Sequence, residues 1–146
     1  MVRSIVIWVF DGLQPSQVTP ELMPNLLAFT AQGILFKNHH SVFPTVTRTN
    51  VSSMQTGRHP GGHGLAGNNL VIREFAPYQP IPALKTSLSQ VKKKLGHVLL
   101  APTLADVLSA NGREYVALGI GSDGNAYLQN PNAEESGGAT IHPEFC

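Results

Sequence analysis

The stretch Phe43-Pro44-Thr45-Val46-Thr47-Arg48-Thr49-Asn50, continued through Thr56-Gly57-Arg58-His59-Pro60-Gly61-Gly62-His63-Gly64 to Gly67-Asn68, decides how the chain is read. Pro44 pushes the residue before it toward an extended conformation. From Thr49 to Gln55 the chain can run as a helix, stopped by Gly57 with Pro60 just beyond. Thr47 then falls where a strand or loop gives way to a helix N-terminus. Amides without partners and the positive end of the helix dipole gather at such a place, and they stabilise an anion or a developing alkoxide. Taken alone, a threonine there is more often only an N-cap.

Upstream, Ser4-Ile5-Val6-Ile7-Trp8-Val9-Phe10 has the β-branched and aromatic content of a buried strand and ends abruptly in Asp11-Gly12. A carboxylate at the C-terminal end of a parallel strand stands where α/β sheets place their ligand chemistry.

Together these pieces resemble the alkaline phosphatase superfamily and, within it, the type I phosphodiesterase/nucleotide pyrophosphatase family. The resemblance rests on Asp11-Gly12, Pro44-Thr45-Val46-Thr47, the Thr56 to Gly64 stretch and Gly67-Asn68, in that order. It implies a metal-binding role for Asp11, a nucleophile at Thr47 that also binds metal, and an Asn68 side chain that holds a phosphoryl oxygen. The interval from Thr47 to Asn68 matches the family and favours Thr47 over Thr45. The implied fold is a three-layer α/β/α domain with a mostly parallel sheet, of which residues 1–146 form the N-terminal part of the catalytic domain. The implied cofactors are two divalent metal ions, zinc in the first instance, about 3.5–4 Å apart. The implied substrate is a small-molecule phosphodiester or nucleotide pyrophosphate, cleaved through a phospho-threonine intermediate.

The family's later ligands, an Asp followed by His, an adjacent Asp-His pair and a final His, have no counterpart in this sequence. Its only aspartates are Asp11, Asp106 and Asp123. The expectation is an N-terminal fragment with an incomplete metal site, inactive alone. A non-catalytic α/β module that binds an anion or a partner is the alternative. A sulfatase-like or phosphonate ester hydrolase is a lesser one, because Thr47-Arg48 stands where that branch carries Cys or Ser.

Composition narrows the field. The 146 residues suffice for one domain, and a 42% hydrophobic content is ordinary for a globular protein. A net charge of +1 gives no footprint for nucleic acid or an anionic membrane, and Lys92-Lys93-Lys94, the one basic run, reads as a solvated face. Cys146 is the only cysteine, so there is no internal disulfide and no thiolate cluster. The N-terminal apolar run is too short to span a membrane and is followed by Asp11 rather than by a small-residue cleavage site, so the expectation, with Met1 as the natural start, is a cytoplasmic protein. The oligomeric state stays open.

Elsewhere, Met23, Leu26, Leu27 and Thr30 fall at helical spacing before Gly33, and Ile34 to Phe43 reads as a second strand. His39 and His40 point to opposite faces of such a strand and take no ligand role. His63 is read as a structural turn residue. Residues 69–101 give no clear element. Pro102 to Gly112 is the clearest helix, with Pro102 in its first turn and Leu104, Val107 and Leu108 on its apolar face. Glu114 to Ile120 follows as a strand. Gly119 to Gly124 resembles a phosphate loop without the required glycine order or a clear helix behind it, so Asp123 reads as a turn residue. Asn130 to Gly138 is turn-rich, with no closing helix or strand after it.

Overall fold

The computed structural model describes residues 4–142. They fall into two compact units, Met1–His40 and Ser41–Cys146.

In the first unit, Phe10 to Leu13 forms a tight turn in which the Phe10 carbonyl accepts from the Leu13 amide at 3.2 Å. Gly12 supplies the positive φ of 83° that the turn requires. A short 3-10 turn follows at Pro15–Gln17, and then helix α1 at Pro24–Thr30. Met23, Leu26 and Thr30 are half-buried as their spacing predicts, while Leu27, expected on the same face, is exposed. The strand expected over Ser4 to Phe10 is not formed, and neither is the one over Ile34 to Phe43. A buried parallel strand needs hydrogen-bonding neighbours and cover on its faces. The described part of this unit contains no other strand, so the apolar run stays in water, with Trp8 75% exposed.

The second unit holds the core. Its helices are α2 at Thr47–Thr56, α3 at Pro60–His63, α4 at Lys85–Leu95, α5 at Leu104–Ala110, α6 at Asp123–Gln129 and α7 at Ala133–Ser136. Strands β1 at Asn69–Leu70 and β2 at Ile81–Pro82 pair antiparallel. Strands β3 at Val116–Leu118 and β4 at Ala139–Ile141 pair parallel, with Ala117 opposite Thr140. The described strands thus make two separate two-stranded sheets in a mixed α/β unit. Val51, Leu65, Leu70, Ala83, Leu88, Leu99 and Leu128 form one apolar cluster, drawn from α2, α4, α6 and the segments between them.

Several expectations need correction. The longest helix, α4, lies in the stretch that gave no signal. Leu88 and Val91 form its buried face, and Gly96, at φ 82°, ends it. The lysine run sits in its last turn and is not simply solvated. Lys92 donates to Glu135 and to the Pro131 carbonyl, tying α4 to α7, and Lys94 lies over the Phe75 ring. Helix α5 begins two residues later than Pro102. Thr103 caps it, accepting from the Asp106 amide while the Asp106 carboxylate accepts from the Thr103 amide. Its buried residue is Ala105, and Val107 faces out. A helix does follow the 119–124 glycine cluster, with Ser122 as N-cap and Asp123 as first residue. Strand β4 lies in the segment read as unstructured.

Glycine sets how closely α6 packs. A methyl group at Gly124 would overlap the Ala83 carbonyl oxygen and come within 3.0 Å of Leu84 Cα. Gly124→Ala is expected to cost about 1–3 kcal/mol in denaturant unfolding. Gly61→Ala, at a position with nothing within 4 Å, should change stability by no more than about 0.5 kcal/mol. Equal midpoints for the two variants would mean that α6 does not rest on Ala83.

Candidate active site

Helix α2 begins at Thr47, with Val46 as N-cap in extended conformation and no side chain capping it. Asn50, one turn in, ties the approach loop to the helix instead. Its amide nitrogen donates to the Val46 carbonyl at 3.1 Å and more weakly to the Pro44 carbonyl at 3.4 Å, and its side-chain oxygen accepts from the Val42 amide at 3.0 Å. The Phe43–Pro44 peptide inside this loop is cis. The loop leading to Thr47 is therefore wrapped on one side chain. Asparagine is a poor interior helix residue because it bonds to nearby backbone, and that habit was the available signal for its role.

Thr47 is exposed on the first turn, where helix geometry leaves amides outside the intrahelical ladder. Arg48, the next residue, is half-buried and donates to Ser122 Oγ at 2.9 Å, while its Nε is buried without a partner among the described residues. Ser122 caps α6, so the guanidinium joins the starts of two helices 74 residues apart in sequence. Nothing local in the sequence announces such a contact.

Helix α2 ends at Gly57, in the left-handed conformation at φ 64°, as expected. His63, at the end of α3, is fully buried and links back to α2, its Nε2 standing 2.9 Å from Ser53 Oγ. Its Nδ1 accepts from the Leu65 amide at 3.1 Å. Burial holds the ring below the usual imidazole range. The chain then turns to Asn68, which is exposed and whose backbone carbonyl accepts from the Ala83 amide at 2.8 Å.

Thr47 and Asn68 thus belong to one unit, on segments joined through the buried imidazole. Asp11 belongs to the first unit, in the turn that Gly12 completes. Among the described residues no group of three or more His, Cys, Asp or Glu side chains could hold a metal ion. A zinc site takes three or four ligands, so these residues do not by themselves fit the two ions that the resemblance implies. A groove of about 730 Å³ opens between α4, α6, α7 and β4, lined among others by Lys85, Lys93, Tyr127 and Thr140; neither Thr47 nor Asn68 lines it. Burial, with Glu135 and Glu134 adding to it, pushes the Tyr127 phenol there up to about 12.

The family model for type I phosphodiesterase / nucleotide pyrophosphatase matches residues 5–125. No curated protein and no solved structure matches the chain. The matched span includes Asp11, Thr47 and Asn68, and it closes within the first turn of α6.

Asn50→Ala is expected to cost about 1–3 kcal/mol and to speed hydrogen exchange of the Val42 amide. Asn50→Asp keeps the acceptor and should leave that amide protected. Unchanged Val42 exchange in the alanine variant would show that Asn50 does not hold the loop.

Proposed function

Because the chain belongs to the type I phosphodiesterase/nucleotide pyrophosphatase family, we propose that Thr47 is the nucleophile of a phosphodiester- or pyrophosphate-cleaving hydrolase. The observation that carries this reading is the placement of Thr47, exposed on the first turn of a ten-residue helix whose approach loop is wrapped on Asn50 and whose start is anchored by Arg48. The Thr47 oxygen forms a bond to phosphorus as the bond to the leaving oxygen breaks, and water later releases the phospho-threonine. The helix N-terminus favours the negative charge that builds up at this point. The Asn68 side-chain amide donates to a non-bridging phosphoryl oxygen, an interaction that strengthens as charge grows there. Arg48 is engaged with Ser122, so its part is to fix the turn.

The donor set supports reading these residues as one part of an enzyme. With no metal-binding group of three among the described residues, the residues in hand are the nucleophile-bearing part of a larger three-layer α/β/α catalytic domain. The remaining ligands for two divalent ions, zinc in the first instance, come from elsewhere. A second reading takes support from the same finding: a module that binds phosphate without cleaving it. Phosphate binding that survives a chelator would favour that reading.

Hydrolysis of a chromogenic phosphodiester with added zinc tests the proposal, beside calorimetric zinc titration. The chain alone should show no turnover and no tight uptake of two ions. Supplied with the missing ligands, it should turn over substrate. Thr47→Ala should then lower kcat on the order of 10³-fold or more, and Thr47→Ser should retain part of the activity. Turnover that survives Thr47→Ala would remove Thr47 from the role.

No helix among the described residues is long and apolar enough to cross a membrane.

A further inference from the structure

We infer that His63 is a proton-sensitive clasp between the helix that carries Thr47 and the turn that leads to Asn68, closed only while its ring is neutral with the hydrogen on Nε2. The bonding pattern fixes that tautomer. A backbone amide can only donate, so the 3.1 Å contact from the Leu65 amide requires a lone pair on Nδ1. The one hydrogen of the neutral ring then sits on Nε2 and is donated to Ser53 Oγ at 2.9 Å. A third segment closes on the same residue. The Leu100 amide donates to the His63 carbonyl at 3.1 Å, and Leu100 Cδ1 lies 2.9 Å from where a Cβ on Gly64 would stand. Leu65 and Leu99, which flank these contacts, belong to the apolar cluster, so the clasp is continuous with the core.

Protonation puts a second hydrogen on Nδ1, directly facing the Leu65 N–H. Two donors then oppose each other in a site closed to water, and the Leu65 amide has to leave. Burial outweighs the one influence that favours the charged ring, a hydrogen bond to the backbone of His63 itself. Besides His63, the ionisable side chains of α2 with its closing turn, of α3 and of residues 96–101 are Arg48, Arg58, His59 and His97, and none is a carboxylate. Arg58 lies against Gly62 at the edge of the ring's own helix. Burial lowers the His63 pKa from its ordinary value of 6.5. Its contribution to stability is therefore full above that unfolded value and is lost as pH falls through the lower, folded one. The inference stands on this geometry and does not depend on Thr47 being a nucleophile.

The test is nitrogen-resolved NMR on the full chain. At neutral pH the His63 ring should show a bare Nδ1 and a protonated Nε2. Between about pH 8 and about pH 5, exchange of the Leu65 amide should rise by about tenfold or more relative to the Leu88 amide, which is held within α4 by the Leu84 carbonyl at 2.9 Å. His63→Asn keeps an acceptor oxygen near the Nδ1 position and cannot titrate, so its Leu65 to Leu88 ratio should be flat with pH. If that variant does not fold, the ring resonances and the ratio in the unaltered chain still decide. A hydrogen on Nδ1 at neutral pH, a ratio that stays constant while His63 titrates, or the same pH dependence in His63→Asn would each overturn the inference.

Discussion

Three polar contacts along α2 tie it to other segments of the second unit and hold that unit in register. Arg48 meets Ser122 at the start of the helix, Ser53 meets His63 in the middle, and Gln55 donates to the Tyr115 hydroxyl at 2.7 Å near the end. The buried face between them consists of Thr49, Val51, Ser52 and Gln55, with a single aliphatic side chain. Hydrophobic burial is roughly non-directional, whereas buried hydrogen bonds are costly to misplace. A helix seated in this way is less free to slide or rotate than one held by leucines, and a residue on its first turn keeps a fixed position.

Small residues bring the other elements close enough for those bonds to form. Gly124 lets α6 rest on the Ala83 carbonyl, and Gly119 lets the chain after β3 lie against Ala126, where a Cβ would come within 2.7 Å. The same economy appears at Gly138, where a Cβ would meet the Tyr115 carbonyl at 2.5 Å. The chain leaving β3 is thus fitted to α6, and the chain entering β4 to the start of β3.

The parts legible in the sequence were those whose signals are local. Gly57 as the stop of α2, the 23–30 helix face and the strand after α5 all follow from spacing and turn chemistry within a few residues. The motif order around Asp11, Thr47 and Asn68 carried the family, which the match over residues 5–125 shows. Helix α4 was also written locally, in the spacing of Leu88, Val91 and Leu95 before Gly96, but the proline-rich stretch ahead of it masked the pattern. What could not be read was non-local. The Arg48–Ser122 contact spans 74 residues. Whether Ser4 to Phe10 becomes a strand depends on neighbours that its own composition does not specify.

That last segment has a consequence of its own. Ile5 to Phe10 is six residues of β-branched and aromatic side chains, uncharged and without proline, and every one of them is exposed. Segments of this composition stack on copies of themselves into cross-β ladders when nothing covers them. The alternate residues Val116, Leu118 and Ile120 of the β3 segment are exposed as well. A residue pattern that suits the middle of a large sheet is thus, left uncovered in water, of the kind that edges and cross-β templates share.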